Sequence, residues 1–193
     1  MTAWPVDVDG VVESIVTTRG PNDRWNVAAL GLHGDSDDSG GVTARTWGRT
    51  RTWRNFRERG SGYVQFSRDP VDFVEAALGI REESDPILDS ADAWVEVSVQ
   101  DVATGTADGT EWVEWELTVE DAGIERETVP VTNRGYGAVV EATVAASRLD
   151  VDAYDSATLR ERLAFFETVV ERCGGDRERL AIERLRELSD WDG

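Results

Sequence analysis

Two runs of strict alternation constrain this chain more than any other feature. Val95, Val97 and Val99 alternate with Glu96, Ser98 and Gln100, and Val113, Trp115, Leu117 and Val119 alternate with Glu114, Glu116, Thr118 and Glu120. Successive side chains of a strand point to opposite faces. Each run is therefore a strand with one buried and one wetted face, as in an antiparallel sheet. Residues 103–110 between them, with Asp108-Gly109, form a linker that suits a long hairpin. Earlier, residues 11–18 and 25–32 are short apolar, β-branched runs divided by the turn cluster Gly20-Pro21-Asn22-Asp23. Residues 42–47 and 63–66 are further candidate strands, and 124–131 a weaker last one.

Helices are punctuated differently. Asp69 can cap a helix that begins with Pro70, carries Phe73, Val74, Ala77 and Leu78 as its apolar stripe, and stops at Gly79. A shorter helix over 52–59 ends at Gly60. From Gly135 onward the pattern is helical: 137–148, then 156–173 with Leu159, Leu163, Phe166, Val170 and Cys173 on one face, then a last helix capped by Asp176. Strands followed by helices indicate an α+β chain. The expected division is 1–132 for the strand-rich part and 133–193 for a helical C-terminal region.

The net charge is −19, from 39 acids and 20 basic residues, and every basic residue is arginine. An apolar fraction of 40% with eight tryptophans still supports a packed core. Excess carboxylate without lysine is expected of a halophile's protein, because molar salt shortens the Debye length to about 3 Å and screens self-repulsion. Dialysis from roughly 3 M to about 0.1 M salt should then lower the melting temperature; a melting temperature indifferent to salt over that range contradicts the reading. High salt also weakens phosphate-backbone contacts, so no nucleic-acid partner is expected. Cys173 and His33 are each single, which excludes a disulfide framework and the paired-histidine zinc motifs. Cys173 is expected as a packed small hydrophobe and His33 as a loop-edge polar residue. With no long apolar run and no basic leader, the chain is expected to be soluble, cytoplasmic and free of membrane contact.

Against that acidity, residues 45–68 hold Arg45, Arg49, Arg51, Arg54, Arg57, Arg59 and Arg68 with a single acid, Glu58. Packing does not require this. A bound anion does, since guanidinium forks match phosphate oxygens; the competing reading is a solvated helix face. Arg49-Thr50-Arg51-Thr52-Trp53-Arg54-Asn55 adds hydroxyls and an amide, as in a phosphate-binding turn. Asp35-Ser36-Asp37-Asp38-Ser39-Gly40 copies the opening of a calcium loop, but its twelfth position is Thr46 where a bidentate Glu is needed. It reads instead as an acidic hairpin tip. No Gly-x-Gly-x-x-Gly or Walker sequence occurs.

Several segments together resemble a known family. Glu13-Ser14-Ile15-Val16-Thr17-Thr18, Trp25-Asn26-Val27-Ala28-Ala29-Leu30-Gly31 and the Arg49-to-Asn55 run are similar to those of the archaeal FMN-binding split-barrel proteins called domain of unknown function 447. The likeness continues through Ser67-Arg68-Asp69-Pro70-Val71-Asp72-Phe73-Val74-Glu75-Ala76-Ala77-Leu78 and Asn133-Arg134-Gly135-Tyr136-Gly137-Ala138-Val139-Val140-Glu141-Ala142. The resemblance implies a flavin-reductase-like split β-barrel that dimerises with FMN at the subunit boundary. It implies Arg49, Thr50, Arg51, Thr52 and Asn55 near the FMN phosphate, and Thr17, Thr18 and Asn26 near the flavin ring. Asn133, Arg134 and Tyr136 stand as candidates to reach the flavin or a partner subunit. By the same resemblance the chain is an oxidoreductase taking hydride or electrons from a reduced nicotinamide or deazaflavin. A non-enzymatic FMN carrier or sensor, or a module for another phosphorylated ligand, remains open.

Overall fold

A computed structural model describes residues 3–34, 41–107 and 109–191. The acidic run at 35–40 lies outside them. Among the described residues, seven strands and five helices follow in the order β1 (Val11–Arg19), β2 (Trp25–Gly34), β3 (Val42–Trp47), α1 (Arg51–Arg59), β4 (Ser61–Ser67), α2 (Pro70–Leu78), β5 (Arg81–Glu83), β6 (Ala91–Ala107), β7 (Thr110–Ile124), α3 (Arg134–Ala146), α4 (Ser156–Cys173) and α5 (Asp176–Leu188). Every pairing is antiparallel. The order β1-β4-β6-β7-β3-β2 closes on itself because β1 also pairs with β2. The result is a six-stranded barrel, with the three-residue β5 added outside β2. Closure removes the exposed edges that an open sheet must protect.

The alternation behaves as expected. Val95, Val97, Val113, Trp115 and Leu117 face the barrel interior with Val16, Leu30, Leu32, Val42, Ala44 and Val64, while the intervening acids face out. The Trp115 indole cannot be buried without a partner for its N–H, and Nε1 donates to Thr46 Oγ1 at 2.9 Å. α1 closes one end of the barrel: Phe56 is 1% exposed and meets Trp115 edge-on, with ring centroids 5.4 Å apart. The strand following α1 passes close beneath it at Gly62. A Cβ there would lie 3.0 Å from the Thr17 carbonyl oxygen and 3.2 Å from both the Phe56 ring and the Thr18 methyl. Glycine therefore lets β4 leave the helix directly into the barrel wall.

Several expectations are corrected. Residues 103–107 are not linker; β6 and β7 stay paired as far as Ala107 opposite Thr110. The weak last strand does not exist: β7 ends at Ile124, and Val129 and Val131 are exposed. β5 was too short for any periodicity to reveal. His33 lies within β2, half-buried and opposite Val11 and Thr43, because β2 runs two residues further than its apolar pattern. Cys173 is exposed, since α4 rotates its last turn out of the stripe after Val170.

Contacts divide the chain into Met1–Ser67 with Arg81–Thr128, and Arg68–Ile80 with Val129–Gly193. A cut at 132 leaves Pro70–Leu78 with the barrel, whereas in the structure α2 has α5 and α3 as its helical neighbours. The helical unit has its own core of Val74, Val139, Ala142, Leu159, Leu163, Val170, Ile182 and Leu185. Asp69 caps α2 as anticipated, accepting the Val71 N–H at 2.9 Å. Asp176 is the first residue of α5, not its cap; that end is closed by Glu178, whose Oε2 accepts the Gly175 N–H at 2.8 Å.

Asn133 is used inside this unit. Its Oδ1 accepts the N–H groups of Gly135 and Tyr136, capping α3, and its Nδ2 donates to the buried Glu178 carboxylate at 2.8 Å. Asn133→Ala removes a helix cap and one donor to a buried carboxylate together. It should cost about 2 kcal/mol. A urea-melt difference below about 0.5 kcal/mol, the level of an ordinary surface change, would show that this junction is not structural.

Candidate functional site

The candidate site is built around the start of α1. Thr50 is the N-cap: its backbone is extended and its Oγ1 accepts the Trp53 N–H at 3.2 Å. The first helical residues, Arg51 and Thr52, present backbone N–H groups that have no acceptor within a helix of this sense. Such an end carries a partial positive charge and suits an anion. Thr50, Arg49 and Arg51 are exposed around it.

The remaining expected site residues form an internal network. Asn55 Nδ2 donates to Thr18 Oγ1 at 2.9 Å and lies 3.4 Å from the Thr18 carbonyl oxygen. Asn26 Nδ2 donates to Thr52 Oγ1 at 3.4 Å. All four side chains are at most 7% exposed. The structure therefore brings Thr18, Asn26, Thr52 and Asn55 together, as polar ties that hold α1 to β1 and β2. Buried polar groups of this kind give one orientation rather than several, because any slip leaves them unpaired. Their contribution to the site is the position of the helix start.

Thr17 points the other way along β1 and joins a different set. Its hydroxyl donates to the Pro86 carbonyl at 2.5 Å and accepts from Gln65 Nε2 at 3.2 Å. Gln65 also donates to the Pro86 carbonyl and accepts the Leu88 N–H. This buried knot straps the segment before β6 across the outside of β1 and β4. Gln65 was not singled out from the sequence, since a lone amide in a short strand carries no pattern. Beside it, half-buried aromatic rings line the outer wall: Trp25 and Tyr63 lie 5.4 Å apart, Tyr63 and Trp94 5.9 Å. Burial first, and then the Glu96 carboxylate, push the Tyr63 phenol above its ordinary range, so it stays a neutral donor at physiological pH.

The arginine run does not form one site. Arg45 sits on β3, paired with Glu114 at 2.9 Å and stacked over Trp112. Arg51 pairs with Glu82 at 2.9 Å, and Arg49 lies 3.7 Å from Glu111. Arg57 and Arg59 fall in the last turn of α1, where cations complement the helix dipole, and Arg68 belongs to the helical unit. Only Arg49 and Arg51 flank the helix start. Glu82 is the second residue that sequence reading missed: it accepts from Arg51 and from Asn22, anchoring β5 to this end of the barrel.

A closed six-stranded antiparallel barrel, plugged by a helix whose first turn gathers arginine and threonine, defines the class. Residues 12–126 match the N-terminal domain of the protein family of unknown function called DUF447, and residues 133–187 match the model of its following domain. The chain belongs to this family. Its fold is similar to that of an FMN-bound family member from Methanosarcina mazei, with 25% identity, 93% of this chain and 95% of that one covered, and a TM-score of 0.79. A looser likeness reaches the styrene monooxygenase flavin reductase of Pseudomonas putida S12, at 12% identity over 63% of this chain and 93% of that one, TM-score 0.47. Another reaches a flavoredoxin of Methanosarcina acetivorans, at 13% identity over 66% and 79%, TM-score 0.48. Among the described residues no helix is long and apolar enough to cross a membrane.

Proposed function

We propose that this protein binds FMN, with the phosphate at the start of α1. The observation that carries the reading is the convergence there of Arg49, Thr50 and Arg51 on a helix end held by the Thr18–Asn55 and Asn26–Thr52 ties. This donor set fits a phosphate dianion: two guanidinia, a hydroxyl and helix N–H groups. The FMN-bound Methanosarcina mazei relative supports the same choice of ligand. Flavin supplies hydride and electron chemistry, while a protein supplies binding, orientation and polarity. On that division Thr17, Thr18, Asn26, Thr52 and Asn55 keep the site's walls in place, and Arg49, Thr50 and Arg51 meet the phosphate.

The use of the flavin is to pass hydride or electrons from a reduced nicotinamide or deazaflavin to an acceptor. Anaerobic mixing of the FMN-loaded protein with NADH, NADPH or a reduced deazaflavin should bleach the flavin band near about 450 nm. Bound flavin that none of the three donors bleaches would make the protein a carrier or sensor instead.

The active unit is a homodimer. Trp25, Tyr63 and Trp94 place half-buried aromatic surface on the barrel's outer wall, the residue types enriched at interfaces. FMN that binds the associated state better stabilises it by linkage. Light scattering in high salt should give twice the chain mass, more firmly with FMN; a monomer holding one flavin per chain contradicts this part.

A further inference from the structure

The turn between β1 and β2 brings a further arginine to the residues around the start of α1. Residues 20–24 are braced from within: the Gly20 N–H donates to the Arg24 carbonyl at 2.8 Å, and Asn22 Oδ1 accepts the Arg24 N–H at 3.3 Å. Asp23 takes a left-handed backbone, with φ 59°, which aspartate tolerates better than most residues. Arg24 therefore leaves the turn from a fixed root. Its Nη2 donates to the Glu82 carbonyl oxygen at 2.9 Å, and its Nε lies 3.9 Å from Glu82 Oε2.

Glu82 is itself held in register with the helix start. It lies opposite Asn26 in the β2–β5 ladder, and the Asn26 amide is the group that ties Thr52 of α1. From there one carboxylate oxygen accepts from Arg51 Nη1 at 2.9 Å and the other from Asn22 Nδ2 at 3.0 Å. One half-buried carboxylate thus gathers two guanidinia from distant parts of the sequence. Among the described residues neither arginine has another carboxylate partner, so the group keeps a net positive charge. The Arg24 side chain uses one N–H on a backbone carbonyl, which leaves the rest of its fork for an anion.

A carboxylate beside an anion site can repel the incoming charge, or it can hold the arginines so that binding need not order them. In about 1 M salt the Debye length is about 3 Å, and the repulsion is largely screened. Ordering a long side chain on binding costs roughly two- to tenfold in affinity, and Glu82 has already ordered two. Positioning outweighs repulsion.

We infer that Arg24 is a third phosphate-binding arginine of the FMN site and that Glu82 is a positioning residue, acting through Arg24 and Arg51. The inference rests on the flavin reading above and gives the β1–β2 turn and β5 their part in it. The test is absorbance titration of the flavin-stripped full chain with FMN and with riboflavin in about 1 M salt, read as the ratio of the two affinities. Arg24→Ala should reduce the preference for FMN by about fivefold. Arg24→Lys, which keeps the charge but not the fork, should recover only part of it. Glu82→Gln keeps the side chain's size and removes its charge, and should reduce the preference by about threefold. In a chain already carrying Arg24→Ala and Arg51→Ala the same change should have no effect, because nothing is left to position. A merely structural role would weaken both flavins together and would persist in that background. The inference is overturned if Arg24→Ala keeps the parent preference, if Glu82→Gln raises it, as a competing acid would, or if Glu82→Gln acts equally in both backgrounds. A parent chain that binds FMN no tighter than riboflavin overturns the phosphate reading and this inference with it. A parent that discriminates, with variants that discriminate as well, overturns this inference alone.

Discussion

Phe56→Ala should lower the stability of the barrel unit by about 3–5 kcal/mol, the cost of emptying a core aromatic site that cannot collapse. Phe56 is where α1 enters the barrel: the ring is 1% exposed and packs edge-on against Trp115. The barrel wall around it is closed by hydrogen bonds, so surrounding strands cannot move in to fill the space. The same change should weaken FMN binding, because the helix whose first turn carries the phosphate donors loses its deepest anchor. Phe56→Leu refills most of the volume and should cost under about 1.5 kcal/mol, with flavin affinity largely restored. Urea denaturation together with flavin titration checks both halves. A loss below about 1 kcal/mol for the alanine variant would mean that α1 does not close the barrel.

The second large effect is electrostatic. Replacing Arg49 and Arg51 together by alanine should weaken FMN binding by at least ~1.5 kcal/mol, about tenfold, through the loss of charge-assisted bonds to the phosphate. The fold should be nearly indifferent. Both side chains are exposed, and their pairs with Glu111 and Glu82 are of the surface kind worth about 0–1 kcal/mol. That separation between binding and stability is what distinguishes an anion site from a solvated helix face. Unchanged flavin affinity in the double variant returns both arginines to the second category.

Much of the barrel was legible because its strands are wet on one side. The Val95–Val99 and Val113–Val119 alternations survive directly as the interior of β6 and β7. Helix punctuation was equally direct where a side chain does the capping, as at Asp69. What the sequence concealed depends on groups that meet only after folding. Glu178 closing α5 from within its first turn, and β5 added as three residues beside β2, leave no periodic trace. Cys173 keeps helical spacing from Val170, yet spacing cannot say where a helix leaves its core.

The candidate site divides in the same manner. The helix expected over 52–59 is present and begins one residue earlier, at Arg51, with Thr50 as a cap that the sequence reading had not singled out. Side-chain identity alone did not distinguish groups that face outward from groups that tie the helix down. Thr18, Asn26, Thr52 and Asn55 are the same hydroxyls and amides a ligand site uses, but here they satisfy one another. Thr17 is adjacent to Thr18 and, on the opposite face of the strand, belongs to the Gln65–Pro86 knot. Arginines read as one cluster along the chain are distributed by the fold over β3, both ends of α1 and the helical unit.

The central claim is that the barrel end at Arg49, Thr50 and Arg51 holds FMN. The most direct test is equilibrium titration of the flavin-stripped chain with FMN, followed by absorbance, with riboflavin as the ligand that lacks the phosphate. The account predicts saturable binding of FMN with flavin bands near about 375 and 450 nm, and riboflavin binding weaker by about tenfold or more because its phosphate contacts are missing. Equal affinity for the two flavins, or no saturable binding of FMN, would contradict it.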